Sequence, residues 1–207
     1  MFGIVRLIIG LAFFACAIVI ILRSRSERKR RMCITSLVVT VVLITILSFL
    51  PFENLFHAFS SAEDAYNYVD FGNGKVALVI EGDESDFVVG EKNDAYSYLI
   101  IPKTSEGWKV GLGVQTVRVI QKTIDEISIC LYRFEKSDDY FVTVFNNRGG
   151  VIEISDSCNS RFEYLEKANK TLGKRYVTYF THTNSVDSDY SITVNGHQIV
   201  LLSEKDE

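Results

Sequence analysis

The sequence predicts an α+β protein: two N-terminal transmembrane helices, then a mainly antiparallel β domain, meander-like or sandwich-like, with two short helices. Three observations carry that expectation. Two apolar runs, "GIVRLIIGLAFFACAIVIIL" (3–22) and "CITSLVVTVVLITILSFL" (33–50), hold one charge between them, Arg6. The nine residues "RSRSERKRR" (23–31) hold six basic groups. After Pro51 the hydrophobic period changes from helical to two, in short runs rich in Val, Ile, Tyr and Phe.

The apolar runs come first in the chain. About 20 apolar residues at 1.5 Å each cross a hydrocarbon core of roughly 30 Å, so each run is read as a span. Lys and Arg beside a span stay on the cytoplasmic side, and short loops report this best. Arg23, Arg25, Arg28, Lys29, Arg30 and Arg31 form that topology signal, in a loop at 23–32. The implied location is the plasma membrane, with the N-terminus and residues 51–207 on the outer side. Residues 1–50 carry seven basic residues and one acidic, hence +6; with −4 overall, the remainder carries −10. An acidic domain has no electrostatic pull toward nucleic acid, which excludes that class of partner.

The first short helix is placed at Ala62 to Val69, behind a capping box in "SSAE", with Ser60 as cap and Glu63 reaching back. "GNG" at 72–74 stops it. Strands follow in "KVALVIEG", "DFVVGE", "AYSYLIIP", "TVRVIQK", "ISICLYRFE", "YFVTVFNN" and "VIEIS", bounded by turn-forming breaks such as "GDES" and "NNRGG". The second helix is placed in "SRFEYLEKANKTLG", with Ser160 as cap, Phe162, Leu165, Ala168 and Leu172 on one face and Gly173 as stop. The chain closes with "KRYVTYFTHT" and with "YSITVNGHQIVLL". Asn195-Gly196 in the latter is the signature of a two-residue hairpin turn, expected to add two strands to the main sheet.

The chemistry-bearing residues form no recognisable motif. There is no G-x-S-x-G, H-E-x-x-H, phosphate-binding loop or dinucleotide fingerprint. His182 and His197 are read as candidate neighbours across a sheet, which would suit a metal or a proton switch. Acidic residues gather in turns at Asp83, Glu84 and Asp86, at Asp138 and Asp139, and at Asp187 and Asp189; solvated turns are the simpler reading. Cys130 and Cys158 fall in the β domain and are a candidate disulfide. Tyr96, Tyr98 and Trp108 are candidate partner contacts, because aromatic side chains anchor interfaces; sheet packing is the competing reading.

"FSSAEDAYNY", "KVALVIEGDESDFVV" and "IPKTSEGWKV" together resemble the outer domains of small membrane-anchored proteins of low-GC Gram-positive bacteria. The matching positions are Ser61, Glu63 and Ala65; Glu81, Gly82 and Asp83; and Lys103, Gly107 and Trp108. The resemblance covers about a quarter of the chain and implies a cell-surface setting, with no catalytic residues to carry over.

These readings converge on a membrane-anchored binding, sensing or accessory module, without catalytic site or cofactor. Its partners would be the bilayer and a protein or envelope component. The alternatives are a subunit of a larger membrane complex, through Thr35, Ser36, Thr40, Thr45 and Ser48 of the second run, and a hydrolase of the cell envelope.

Overall fold

The computed structural model describes residues 4–23, 31, 34–42, 54, 57–70, 72, 74–92, 95–110, 116–134, 137–169 and 174–202. Helix α1 (Ile4–Arg23) comes first. A second helical stretch, α2, is described over residues 34–42. α3 (Ala62–Asp70) follows. Twelve strands complete the described elements: β1 (Lys75–Glu81), β2 (Ser85–Lys92), β3 (Ala95–Thr104), β4 (Gly107–Trp108), β5 (Thr116–Ile124), β6 (Ile127–Phe134), β7 (Tyr140–Asn146), β8 (Ile154–Asp156), β9 (Glu163–Asn169), β10 (Lys174–Thr183), β11 (Ser191–Val194) and β12 (His197–Val200).

The strands build three antiparallel sheets, ordered β1-β2-β3-β4, β5-β6-β7-β10-β9 and β12-β11-β8. With α3 they stack as four layers. Alternation along each strand decides which layer boundary a side chain enters. In β7, Phe141 enters the boundary between the first and second sheets, while Val142 and Val144 enter the one between the second and third. β10 repeats the pattern, with Phe180 on one side and Val177 and Tyr179 on the other. β2 is flanked in the same way: Phe87 and Val89 face the second sheet and Val88 faces α3. Central strands thus read as unbroken apolar runs because both faces are covered.

α3 is anchored one residue later than the sequence suggests. Ser61 Oγ, not Ser60, accepts the Asp64 amide at 3.0 Å, and Ser60 Oγ donates to the Asp64 carboxylate. Ala62, Ala65, Tyr66 and Val69 form its buried face. Tyr66 lies across Gly90, where an added Cβ would sit 1.8 Å from the tyrosine oxygen.

Several expectations are corrected. Among the described residues no helix is long and apolar enough to cross a membrane. Arg6 and Arg23 leave 16 uncharged residues between them in α1, about 24 Å against a hydrocarbon core of roughly 30 Å. Of the second run, residues 33 and 43–50 lie outside the described residues. The two spans, the plasma-membrane location and the outer placement of the β domain are therefore withdrawn. So is the orientation read from the basic run, whose Arg25, Arg28, Lys29 and Arg30 lie outside the described residues, while Arg23 ends α1 and Arg31 is exposed.

The second short helix is also absent from its expected place: residues 163–169 form β9, paired with β10 from Glu163↔Phe180 to Asn169↔Lys174. Seven backbone pairings, with Leu165 packed against the core between the first two sheets, outweigh the helical spacing of a few apolar residues. The Asn195-Gly196 hairpin forms, with φ of 48° and 80° at the two turn positions. It joins β8 in a separate three-stranded sheet rather than the main one. Cys130 and Cys158 are free thiols. Cys130 packs between the first two sheets, and Cys158 sits beside the Ser185 carbonyl, so the strands do not bring them together.

Candidate functional site

The tight β1–β2 turn, Gly82 to Glu84, requires glycine at its start: a Cβ on Gly82 would lie 2.5 Å from the Ser85 carbonyl oxygen and 2.9 Å from the Phe141 ring. The turn aims its backbone amides at Asp139, the residue just before β7. Asp139 Oδ1 accepts the Asp83 amide at 2.9 Å, and Oδ2 accepts the Glu84 amide at 2.8 Å and the Ser85 hydroxyl at 2.9 Å. His182 Nε2, on β10, lies 2.9 Å from Oδ1. This carboxylate, 2% exposed, joins the first sheet to the second.

Burial alone would raise the Asp139 pKa. The donors of Asp83, Ser85, Glu84 and His182 overcome that and hold it below the usual carboxylate range. With Asp139 ionised, Nε2 of His182 carries its proton whether the ring is neutral or charged. The imidazole is therefore held in one tautomer, with its ring 5.2 Å from that of Phe141.

On its open side His182 lines a cavity of about 380 Å³ between β1 and the start of β9, together with Glu81, Ser160, Arg161, Glu163 and Thr181. The Ser160–Arg161 segment is fixed twice. Asp156 Oδ1 accepts the Ser160 amide at 2.7 Å, and Thr181 Oγ1 donates to the Arg161 carbonyl at 2.9 Å. Asp156 is itself held by the Tyr190 hydroxyl at 3.0 Å. The cavity wall thus stands on buried polar anchors, while Glu81, Arg161 and Glu163 reach into solvent. Among the described residues these three side chains form no ion pair, whereas Arg148 pairs with Asp125 and Glu126, and Arg175 with Glu166.

A second cleft, about 400 Å³, lies at the opposite seam of the first two sheets and is lined by Tyr98, Leu99, Thr116, Arg118 and Tyr132. The Arg118 guanidinium lies 5.7 Å from the Tyr132 ring centre. Burial, with smaller contributions from Tyr132, Cys130 and Tyr96, pushes the Tyr98 hydroxyl up to about 12.

Of the three aromatic candidates, Tyr98 lines this cleft and is 38% exposed. Tyr96 is capped by Lys167, whose Nζ lies 4.8 Å from the ring centre. Trp108 donates from Nε1 to Asp86 and packs toward α3 and the first sheet. Tyr96 and Trp108 are thus engaged within the fold. His182 and His197 lie in different sheets, and His197 is exposed. Among the described residues no three His, Cys, Asp or Glu side chains are grouped to hold a metal ion.

Sequence reasoning placed Asp139 in a solvated turn and did not connect it to His182. The two are 43 positions apart, and only the β7–β10 register, with His182 opposite Phe141, brings them together. Arg161 and Glu163 were assigned to a helix, which hid their place on the cavity wall. No family model, no curated protein and no solved structure matches the chain.

Proposed function

We propose that this protein is a binding module rather than an enzyme, and that the cavity beside His182 is its ligand seat. One observation carries the reading: a polar cavity at a sheet seam whose charged lining groups are not spent on one another, next to an imidazole locked by a buried carboxylate. Convergent polar groups on a rigid scaffold are the usual mark of a small-ligand site. Among the described residues no hydroxyl or thiol is bonded to the His182 imidazole, which favours binding over catalysis. Ser85, the hydroxyl that touches Asp139, is fully buried and donates its proton to the carboxylate. The ligand is small and polar, of a size set by the cavity.

The experiment is thermal unfolding of the full chain against amino acids, short peptides and simple sugars. A ligand that binds only the folded state raises the melting temperature in proportion to ln(1 + [L]/Kd). The expected result is a rise for one of these classes that is lost in Arg161→Ala. A rise that persists undiminished in Arg161→Ala, or no rise at all, contradicts the reading.

A second reading attaches to the Tyr98 cleft. A half-exposed tyrosine beside Arg118 has the composition of an interface anchor, so a protein partner would dock there. Loss of partner binding in Tyr98→Ala, with binding retained in Arg161→Ala, would favour it.

A further inference from the structure

The unpaired charges of the His182 cavity have a definite arrangement of sign. One carboxylate, Glu163, and one guanidinium, Arg161, share a wall with His182, Ser160 and Thr181. Glu163 begins β9, the outermost strand of the second sheet, opposite Phe180 and so on the face toward the first sheet. Arg161 stands two residues before β9 on the anchored segment. Glu81 closes the rim at the end of β1, with its side chain on the α3 face beside Asp86.

We infer that the seat takes a ligand carrying both a free ammonium and a free carboxylate: an α-amino acid or a whole short peptide with both ends free. The inference rests on the reading of this cavity as a ligand seat and names the ligand's chemistry. Glu163 receives the ammonium, whose N–H groups donate to carboxylate oxygens that no ion pair among the described residues engages. Arg161 takes the carboxylate, for which its planar fork is suited. His182 offers one further hydrogen-bonding atom, Nδ1, since Nε2 is committed to Asp139. A neutral polyol would leave the guanidinium and the Glu163 carboxylate without charged partners. A simple anion would meet Arg161 but set a like charge beside Glu163. A zwitterion satisfies both signs at once.

Among the described residues β1 pairs only with β2, which leaves it a backbone edge. An extended peptide could add main-chain hydrogen bonds there, whereas a single amino acid could not. Comparing glycine with tri-alanine separates these two sources of the same chemistry.

The test is calorimetric titration of the full chain with glycine, tri-alanine, N-acetyl-tri-alanine, tri-alanine amide and N-acetylglucosamine. Either glycine or tri-alanine is expected to bind. N-acetylation, which removes the ammonium, and amidation, which removes the carboxylate, should each weaken tri-alanine roughly tenfold or more, as expected for a lost charge-assisted contact. Arg161→Gln should weaken the free tripeptide and leave the amide unchanged. Glu163→Gln should weaken the free tripeptide and leave the acetylated one unchanged. Equal binding of the free and blocked peptides overturns the inference. Binding of N-acetylglucosamine alone, lost in Arg161→Gln, leaves the seat standing and overturns the zwitterion. Binding of none of the five overturns both.

Discussion

Asp139 and His182 meet at 2.9 Å across the second sheet, and the same carboxylate receives two amides and a hydroxyl from the β1–β2 turn. One side chain thus fixes the hairpin of the first sheet, the tautomer of the histidine and one wall of the cavity. Its energetics follow from charge-assisted hydrogen bonds in a site that excludes water, worth about 1.5–3 kcal/mol each.

Asp139→Asn removes the charge and turns an N–H₂ group toward donors that need an acceptor. The expected cost is about 2–4 kcal/mol, measured by urea unfolding near pH 7. The pH dependence has a definite sign. Because the Asp139 pKa is lowered in the fold, its stabilisation is present above the ordinary value of 3.8 and is lost as pH falls through the lower folded value. The wild type should therefore lose stability in acid more steeply than Asp139→Asn. Parallel acid profiles would show that the carboxylate is not held as described.

Asp86 behaves in the opposite way. Burial is the largest influence and raises its pKa, against the lowering effect of Trp108 Nε1. Its ionised form is disfavoured in the fold, so stability declines as pH rises through the carboxylate range. Trp108→Phe removes the opposing donor and should cost about 1–3 kcal/mol. That penalty should be larger at pH 7 than at pH 4. The same penalty at both values would mean that the tryptophan acts through packing alone.

Gly90→Ala places a methyl group where the Tyr66 hydroxyl rests. The clash should cost about 1–3 kcal/mol, by the usual penalty for overpacking. Tyr66→Phe, which forfeits only the 2.7 Å contact with Ser97 Oγ, should cost about 0.5–1.5 kcal/mol. A neutral Gly90→Ala would mean that α3 does not seat against β2.

Gly196→Val forces a β-branched residue to a φ of 80°. The strain, about 1–3 kcal/mol, should lower the melting temperature by about 3–8 °C. No change would mean that the terminal hairpin is loose.

Legibility in the sequence followed locality. Strands such as "ISICLYRFE" and "YFVTVFNN" were legible because a short run rich in Val, Ile, Tyr and Phe between turn residues is a pattern set by neighbours in the chain. The turn at Asn195-Gly196 was legible because positive φ restricts residue choice. β9 was misread because "FEYLEKA" satisfies a helical period as well as an edge strand, and only pairing with β10 decides between them. The N-terminal runs were read as spans on hydropathy; the arginines at 6 and 23 leave the first apolar stretch short. Asp139 looked like any acidic turn residue, because its donors come from positions 83–85 and 182, which no local pattern links. Arg161 and Glu163 stayed hidden by the same helix assignment, since the cavity exists only where β1 meets β9 and β10.

The most direct test of the zwitterion seat is a backbone-amide and histidine-ring chemical-shift map of the full chain titrated with glycine and with tri-alanine. The account predicts, with at least one of the two, saturable shifts clustered at Glu81, Arg161, Glu163, Thr181 and the His182 ring, with Tyr98 and Arg118 unmoved. Shifts centred on Tyr98 and Arg118, or none that saturate, would contradict it.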